Sequence, residues 1–348
     1  MLAPISWRTP PGGYGPWELA TSTLTEALVA LGHDVTLFAA AGSRTSATLV
    51  ETVPGALSES PHLDAKVWEM LHVGRVMAQV GMGADDFDIV HNQADFVPLP
   101  FSRLTKTPMV TTIHGLGSPE TQKRILPIWR DHSDTAYVAI SDADRHPDLP
   151  YVATVHHGLD PTDWPFHDPG PDAPLVFFGR MHPDKGPHEA VAIAKAAGRA
   201  LVMAGIVHDE PYFRETVAPH IDGETVRFLG NVTGRDRASA LGNACALLHP
   251  IGFEEPFGLS VIEAMTVGTP VVAYPKGSMP ELVEPQTGVL VNDVTEAVAS
   301  LDHVTQLSRT DCRDRALERF GAERMARDYV AVYRRVIAEK AIASRSRT

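Results

Sequence analysis

Short runs of β-branched and other apolar residues recur along this chain with helix-length stretches between them, and that alternation constrains the fold more than any other feature. Asp34 to Ala39, Asp88 to His91, Pro108 to His114 and Ala136 to Ile140 read as strands in the first half. In the second half the strands are Leu175 to Phe178, Ala200 to Ala204, Val226 to Leu229, Ala246 to Leu248 and Pro270 to Ala273. Leu19, Leu24, Leu28 and Leu31 follow Pro16 at near-helical spacing with Gly32 as a stop, and Pro187 suits the first position of a helix reaching about Ala197. Such alternation builds parallel sheets with helices on both faces. The expected fold class is α/β in both halves, with a ligand at the carboxyl ends of the strands in a cleft between the halves.

The stretch from Asp163 to Asp172 is rich in Pro and Asp, carries no periodic pattern and reads as an inter-domain linker. The expected domains are 1–165 and 173–325, with 326–348 as a helix and tail. Phe320, Met325, Tyr329, Val332 and Val336 recur at helical spacing, and Ser344 to Thr348 should fray. Met1-Leu2-Ala3-Pro4-Ile5 looks like the last half of a strand, which leaves room for a native start upstream of Met1.

At 348 residues, 44% hydrophobic and 21% charged, the chain has an ordinary globular composition and length for two domains. A net charge of −13 argues against a nucleic-acid surface, so a small anionic ligand needs a locally positive pocket. Cys245 and Cys312 are the only cysteines, too few for a disulfide framework and outside any metal-type spacing, and a reducing cytoplasm is the simplest compartment. No run approaches the ~20 apolar residues of a membrane-spanning helix, and the N-terminus lacks a signal-peptide layout. A soluble protein is expected.

Chemistry concentrates in Phe253 to Met265. Glu255 and Glu263, eight positions apart, bracket a Pro256-Phe257-Gly258 turn that opens a helix. Backbone N–H groups of Phe257, Gly258 and Leu259 at that helix N-terminus favour an anion such as pyrophosphate, and the glutamates can accept hydrogen bonds from hydroxyls at either end of the ligand. A surface carboxylate is common on a helix, but Ile262, Ala264 and Met265 imply that Glu263 is largely buried and needs partners. Glu254 and Glu255 invite a hydrolytic reading, yet adjacent side chains in an extended segment point opposite ways and cannot easily flank one bond. Arg180 and Lys185 form the second constellation, two cations in the loop after the first strand of the second half. An Arg fork and a mobile Lys can hold a diphosphate and stabilise charge as it departs.

The order Gly179-Arg180-x4-Lys185-Gly186, Val226 to Val232, Glu255 to Met265 and Gly268-Thr269-Pro270-Val271-Val272 resembles the retaining family-4 glycosyltransferases, whose fold is GT-B, two Rossmann-like domains facing each other across a cleft. The likeness runs nearly end to end, through His114-Gly115, Ile140-Ser141 and His157 to Asp160. It implies that Arg180 and Lys185 bind the donor diphosphate, Glu263 the ribose hydroxyls and Glu255 the hydroxyls of the transferred sugar. Val232 would lie near the base, and His114, which ends a run of β-branched residues, near the reacting carbon of the donor sugar.

Gly13 lies in the glycine-rich loop Pro10 to Glu18, which in that family approaches the donor phosphates; here bulky Tyr14 and Pro16 follow, and a plain turn fits as well. The C-terminal helix would return to the first domain. The implied activity is transfer of a hexose-type sugar, UDP-linked by default, to an acceptor hydroxyl without a metal or other cofactor. A nucleotide-sugar epimerase of the same fold, or a non-catalytic nucleotide-sugar-binding protein, fits the same residues. Gln122 to Arg130 mixes cations with apolar residues and admits a peripheral membrane contact for a lipid acceptor, although Pro127 interrupts an amphipathic helix and an ordinary part-buried helix fits as well.

Overall fold

The computed structural model describes residues 1–82, 86–115, 117 and 120–345. The chain forms two compact units, Met1–Gly158 with Ala322–Thr348, and Leu159–Gly321. Both are α/β, and every strand pairing among the described residues is parallel.

The first unit contains β1 (Thr36–Ala40), β2 (Thr48–Val53), β3 (Val90–Asn92), β4 (Met109–Ile113), β5 (Ala136–Ala139) and β6 (Tyr151–Thr154). Its sheet segments run β2-β1 and β3-β4-β5-β6, and Leu2 joins them by parallel bridges to Phe38 and Asn92. Alternation along β4 covers both faces. Met109 packs with Leu2, Phe38, Val90 and the Val73, Val76, Met77 and Val80 stripe of helix Ala65–Met82. Its neighbour Val110 packs instead with Leu24 and Leu28 of helix Pro16–Ala30 and with Met325, Ala326, Tyr329, Val332 and Val336 of helix Ala322–Arg345.

The second unit contains β7 (Leu175–Phe178), β8 (Leu201–Ala204), β9 (Val226–Phe228), β10 (Ala246–His249), β11 (Val271–Ala273) and β12 (Gly288–Leu290) in the order β9-β8-β7-β10-β11-β12. This is the doubly wound order, and it reverses between β7 and β10. One core joins Leu175, Phe177, Leu201, Met203, Ala246 and Leu248 to Ala190, Val191, Ile193 and Ala194 of helix Pro187–Ala196 and to Ala297, Leu301 and Val304 of helix Val294–Val304.

The expected domain boundary at 165 falls too late, because residues 159–165 belong to the second unit. The expected linker is strapped down there: Arg313 Nη1 donates to Trp164 O at 2.6 Å, Arg309 Nε to His167 O at 2.9 Å, and His167 N to Val267 O at 3.1 Å. Guanidinium groups that saturate backbone carbonyls are a long-range device that composition does not reveal. The returning helix begins at Ala322 rather than 326. Strands β2, β6 and β12 also went unread: β2 is polar (Thr48, Glu51, Thr52), β6 half-buried throughout, and β12 only three residues long. Around Pro127, a π turn over Thr121–Ile125 leads into helix Leu126–His132, where Leu126 is buried and Trp129 stacks on Phe96 at 3.5 Å. No described helix is long and apolar enough to cross a membrane.

At the β7/β10 reversal the two outgoing loops nearly touch. Gly186 has φ +70, and a Cβ there would stand 2.0 Å from Pro250 O; Gly252 N donates to Asp184 O at 2.7 Å. Gly186→Ala should therefore cost about 2–4 kcal/mol, the left-handed strain plus a backbone clash. Gly198, with φ +62 and nothing within 4 Å of its virtual Cβ, supplies the control, with an expected cost of about 1 kcal/mol. Urea unfolding of both variants checks this, and equal losses would remove the loop contact as the cause.

Candidate functional site

The carboxyl end of β7 delivers Gly179 and Arg180, after which a short turn, Pro183–Lys185, brings Lys185 back toward the sheet. The Arg180 side chain is half-buried and makes no ion pair or side-chain hydrogen bond among the described residues. Lys185 Nζ is ion-paired with Glu255 Oε2, their side chains 17% and 12% exposed, and stands 4.7 Å from the centre of the Phe253 ring. Glu255 comes from the loop after β10, so the pair joins the two strands at which the sheet order reverses.

That loop is braced from behind. Glu254 Oε2 accepts from Gly277 N at 2.5 Å, Glu255 O accepts from Ser278 N at 2.9 Å, and Phe257 O accepts from Ser278 Oγ at 2.5 Å. The adjacent glutamates thus face different partners, as their extended segment requires. The Phe257 ring is buried and meets Phe320 edge-on at 6.2 Å, so this residue can offer a ligand only backbone. Gly258, at φ 95, is the N-cap of helix Leu259–Thr266, and no side chain caps the helix there. The exposed end of the helix dipole and its N–H groups suit an anion.

Glu263 is 0% exposed, in the second turn of the same helix. Its Oε2 accepts from Arg237 Nη2, while Oε1 has no partner among the described residues. Burial pushes its pKa up to about 7, against the opposing pull of Arg237. The Arg237 guanidinium lies 4.5 Å from the Phe178 ring centre and 5.9 Å from that of Trp164, stacking that suits a delocalised cation. Val232 is half-buried in the loop between β9 and helix Gly234–Gly242.

Two residues escaped the sequence reading. Arg237 sits on a polar helix with no motif around it. His249, the last residue of β10, has Nε2 4.0 Å from Glu255 Oε2, and burial first, then nearby Lys185, lowers its pKa to about 4 against the attraction of Glu255. Its signal was available: like His114, it closes a buried apolar strand.

Gly13 and His114 belong to the first unit. Gly13 lies in a loop held by a hydrogen bond from Trp7 N to buried Glu18 Oε1 at 2.9 Å and one from Thr9 N to Ser43 Oγ at 2.9 Å. His114 follows β4 directly and is 5% exposed, and burial lowers its pKa to about 3. Its ring stacks with those of Trp17, at 5.6 Å, and His157, at 5.3 Å, and its Nδ1 has no partner among the described residues.

Comparison with known proteins matches the family model for glycosyl transferases group 1 to residues 173–307 and that for glycosyltransferase family 4 to residues 18–146. Over 335 aligned residues the chain is 28% identical to glycogen synthase of Mycobacterium tuberculosis, covering 82% of this chain and 80% of that protein. Among solved structures it is similar to AviGT4, a glycosyltransferase involved in avilamycin A biosynthesis, with a TM-score of 0.70, 27% identity and coverage of 95% and 93%. It also shares the fold of HepE from Anabaena, solved with UDP and glucose, with a TM-score of 0.68, 19% identity and coverage of 91% and 95%.

Glu263 makes stability depend on pH in a definite direction. The unfolded chain releases this proton near 4.5, while the folded protein holds it to about 7, so the folded state binds more protons between those values and stability falls as pH rises through that window. His249 acts oppositely, losing stability as pH falls from 6.5 toward about 4. Glu263→Gln isolates the first effect. The unfolding free energy of the wild type minus that of the variant should drop by about 2 kcal/mol from pH 5 to pH 8 in urea titrations. A difference that stays flat would place the Glu263 pKa near its ordinary value.

Proposed function

The chain belongs to glycosyltransferase family 4, the group 1 glycosyl transferases, with the two-Rossmann-domain GT-B fold, and from that premise we propose that it transfers a hexose-type sugar from a nucleoside diphosphate sugar to an acceptor hydroxyl with retention of configuration. The observation that carries this reading is the Lys185–Glu255 pair beside a helix N-terminus without a side-chain cap, with Arg180, unpaired among the described residues, on the same loop as Lys185.

An incoming diphosphate competes with Glu255 for Lys185. Phosphate oxygens then take Lys185, Arg180 and the N–H groups at Leu259 and Ser260, and Glu255 is released to accept hydrogen bonds from the hydroxyls of the transferred sugar. Glu263 Oε1 serves the ribose hydroxyls. Glu254 is held by Gly277 N, and Glu255, once released, is committed to the sugar hydroxyls, so neither is set up as a nucleophile.

The reaction proposed is a front-face substitution. The acceptor oxygen bonds to the anomeric carbon as the bond from that carbon to the phosphate oxygen breaks, and the acceptor's proton goes to the departing phosphate. Arg180, Lys185 and the helix dipole stabilise the leaving diphosphate in the role that a metal fills elsewhere. UDP is the first carrier to test, since HepE, which shares the fold, was solved with it.

Labelled donors with UDP, GDP or ADP carriers, incubated with and without acceptor, test the proposal. Free nucleotide that appears only with acceptor, and a product of the donor's own anomeric configuration, is the expected result. An altered donor sugar would mean epimerisation, and tight binding without turnover a sensor. Lys185→Ala should lower turnover by at least ~10²-fold, the loss of one contact to a departing charge. Unchanged turnover in that variant would sink the leaving-group role.

A further inference from the structure

In the first unit a buried chain of hydrogen bonds ends at His114. His114 Nε2 is 2.6 Å from Gln93 Oε1, Gln93 Nε2 is 3.2 Å from His91 Nε2, and His91 Nδ1 is 2.6 Å from Tyr333 Oη. Thr112 Oγ1 branches from it, 2.8 Å from His91 Nε2 and 2.7 Å from Tyr329 Oη. Gln93, His91, Thr112, His114 and Tyr329 are all 5% exposed or less. Tyr329 and Tyr333 stand four residues apart on helix Ala322–Arg345, so one face of that helix reaches the chain twice.

The protons along it follow from what each atom can do. A carboxamide oxygen only accepts and its nitrogen only donates. With Gln93 Oε1 on His114, the His114 Nε2 carries hydrogen. With Gln93 Nε2 on His91, the His91 Nε2 is bare and also accepts from the Thr112 hydroxyl. The remaining His91 proton is on Nδ1 and is donated to Tyr333 Oη, and Thr112 Oγ1 accepts from the Tyr329 hydroxyl. Each contact then pairs a donor with an acceptor and no proton is used twice, the single lone pair of His91 Nε2 being shared between the Gln93 amide and the Thr112 hydroxyl. The bare atom left over is His114 Nδ1, buried and without a partner among the described residues.

A buried acceptor without a partner is costly and demands an occupant. The stacked Trp17 and His157 rings restrain the imidazole plane but cannot choose its tautomer. We infer that Gln93 is a positioning residue for His114: it fixes the Nε2–H tautomer, so that Nδ1 presents its lone pair to a hydroxyl of bound sugar, and Tyr333, acting through His91, holds the Gln93 amide in that orientation. The sugar hydroxyl as occupant rests on the transferase reading above; the tautomer does not.

The test begins without substrate, on protein labelled with 15N-histidine, with the His114 signals assigned by their loss in His114→Gln. Two-bond nitrogen–proton correlations report which ring nitrogen is protonated. The wild type should show Nε2–H. Gln93→Glu, whose side chain can still accept, should keep it, and Gln93→Leu should give a mixture of tautomers.

Turnover should fall about 10-fold in Gln93→Leu, chiefly in kcat, and recover most of the way in Gln93→Glu. Tyr333→Phe should lose about 3-fold, and it decides the matter if Gln93→Leu fails to fold. An Nδ1–H tautomer in the wild type, or wild-type tautomer and kcat in Gln93→Leu, would overturn the inference. If the tautomers come out as expected while the wild type turns over no nucleotide sugar, the transferase reading fails and the positioning role stands.

Discussion

In the second unit, the site depends on one constraint of a parallel sheet. Strand order reverses between β7 and β10, so their crossovers leave in opposite directions and the space above their carboxyl ends stays clear of helix. The register pairs Leu175 with Ala246 and Val176 with Leu247, which brings the two outgoing loops side by side. Only a residue without Cβ fits where Gly186 meets Pro250. Lys185, one position earlier, is thereby carried to Glu255. The ion pair is weak evidence of stabilisation, because desolvating two charges offsets much of their attraction. Under the proposed function it is a contact that a donor diphosphate would exchange.

The first unit repeats this arrangement with different chemistry. Leu2 lies between β1 and β3, so the order reverses between that segment and β3. Directly after β3 comes Gln93, and two residues on is Asp95, which has φ 57 and whose carboxyl burial pushes up to about 8. Asn92 supports that bend by donating to Asp95 O at 2.8 Å. Asp95 Oδ1 in the first unit and His249 Nε2 in the second are buried without a hydrogen-bond partner among the described residues, and each follows or closes a strand beside its reversal.

What the sequence disclosed was what local chemistry encodes. Strands such as Met109–Ile113 and Leu175–Phe178 are continuous apolar or β-branched runs, and Pro187 marks a helix start by its own backbone preference. The Glu255 to Glu263 spacing was legible because a turn and a helix fix the distance between them. Arg237 was not, since its partner lies 26 residues away on another helix and nothing local distinguishes it from a solvated arginine. The strap over residues 163–168 was hidden for the same reason: Arg309 and Arg313 lie more than 140 positions along the chain from the carbonyls they hold. Gln93 drew no notice either, because a glutamine has meaning only once the atoms at both ends of its amide are known.

The electrostatics of the two units divide accordingly. His91 lies within β3, His249 closes β10 and His114 follows β4, and burial lowers the pKa of each, leaving neutral rings that donate and accept without net charge. A ring held neutral cannot supply the positive potential that a diphosphate requires. Its value is geometric, for a neutral imidazole has one donor and one acceptor, and a neighbour that fixes the first also fixes the second. Positive charge is left to Arg180 and to Lys185, whose partner is the Glu255 carboxylate that the proposed donor would displace. Under the proposed function, a chain of net charge −13 would bind its anionic donor through two placed cations and a helix end, and leave the reading of hydroxyls to neutral or displaceable acceptors.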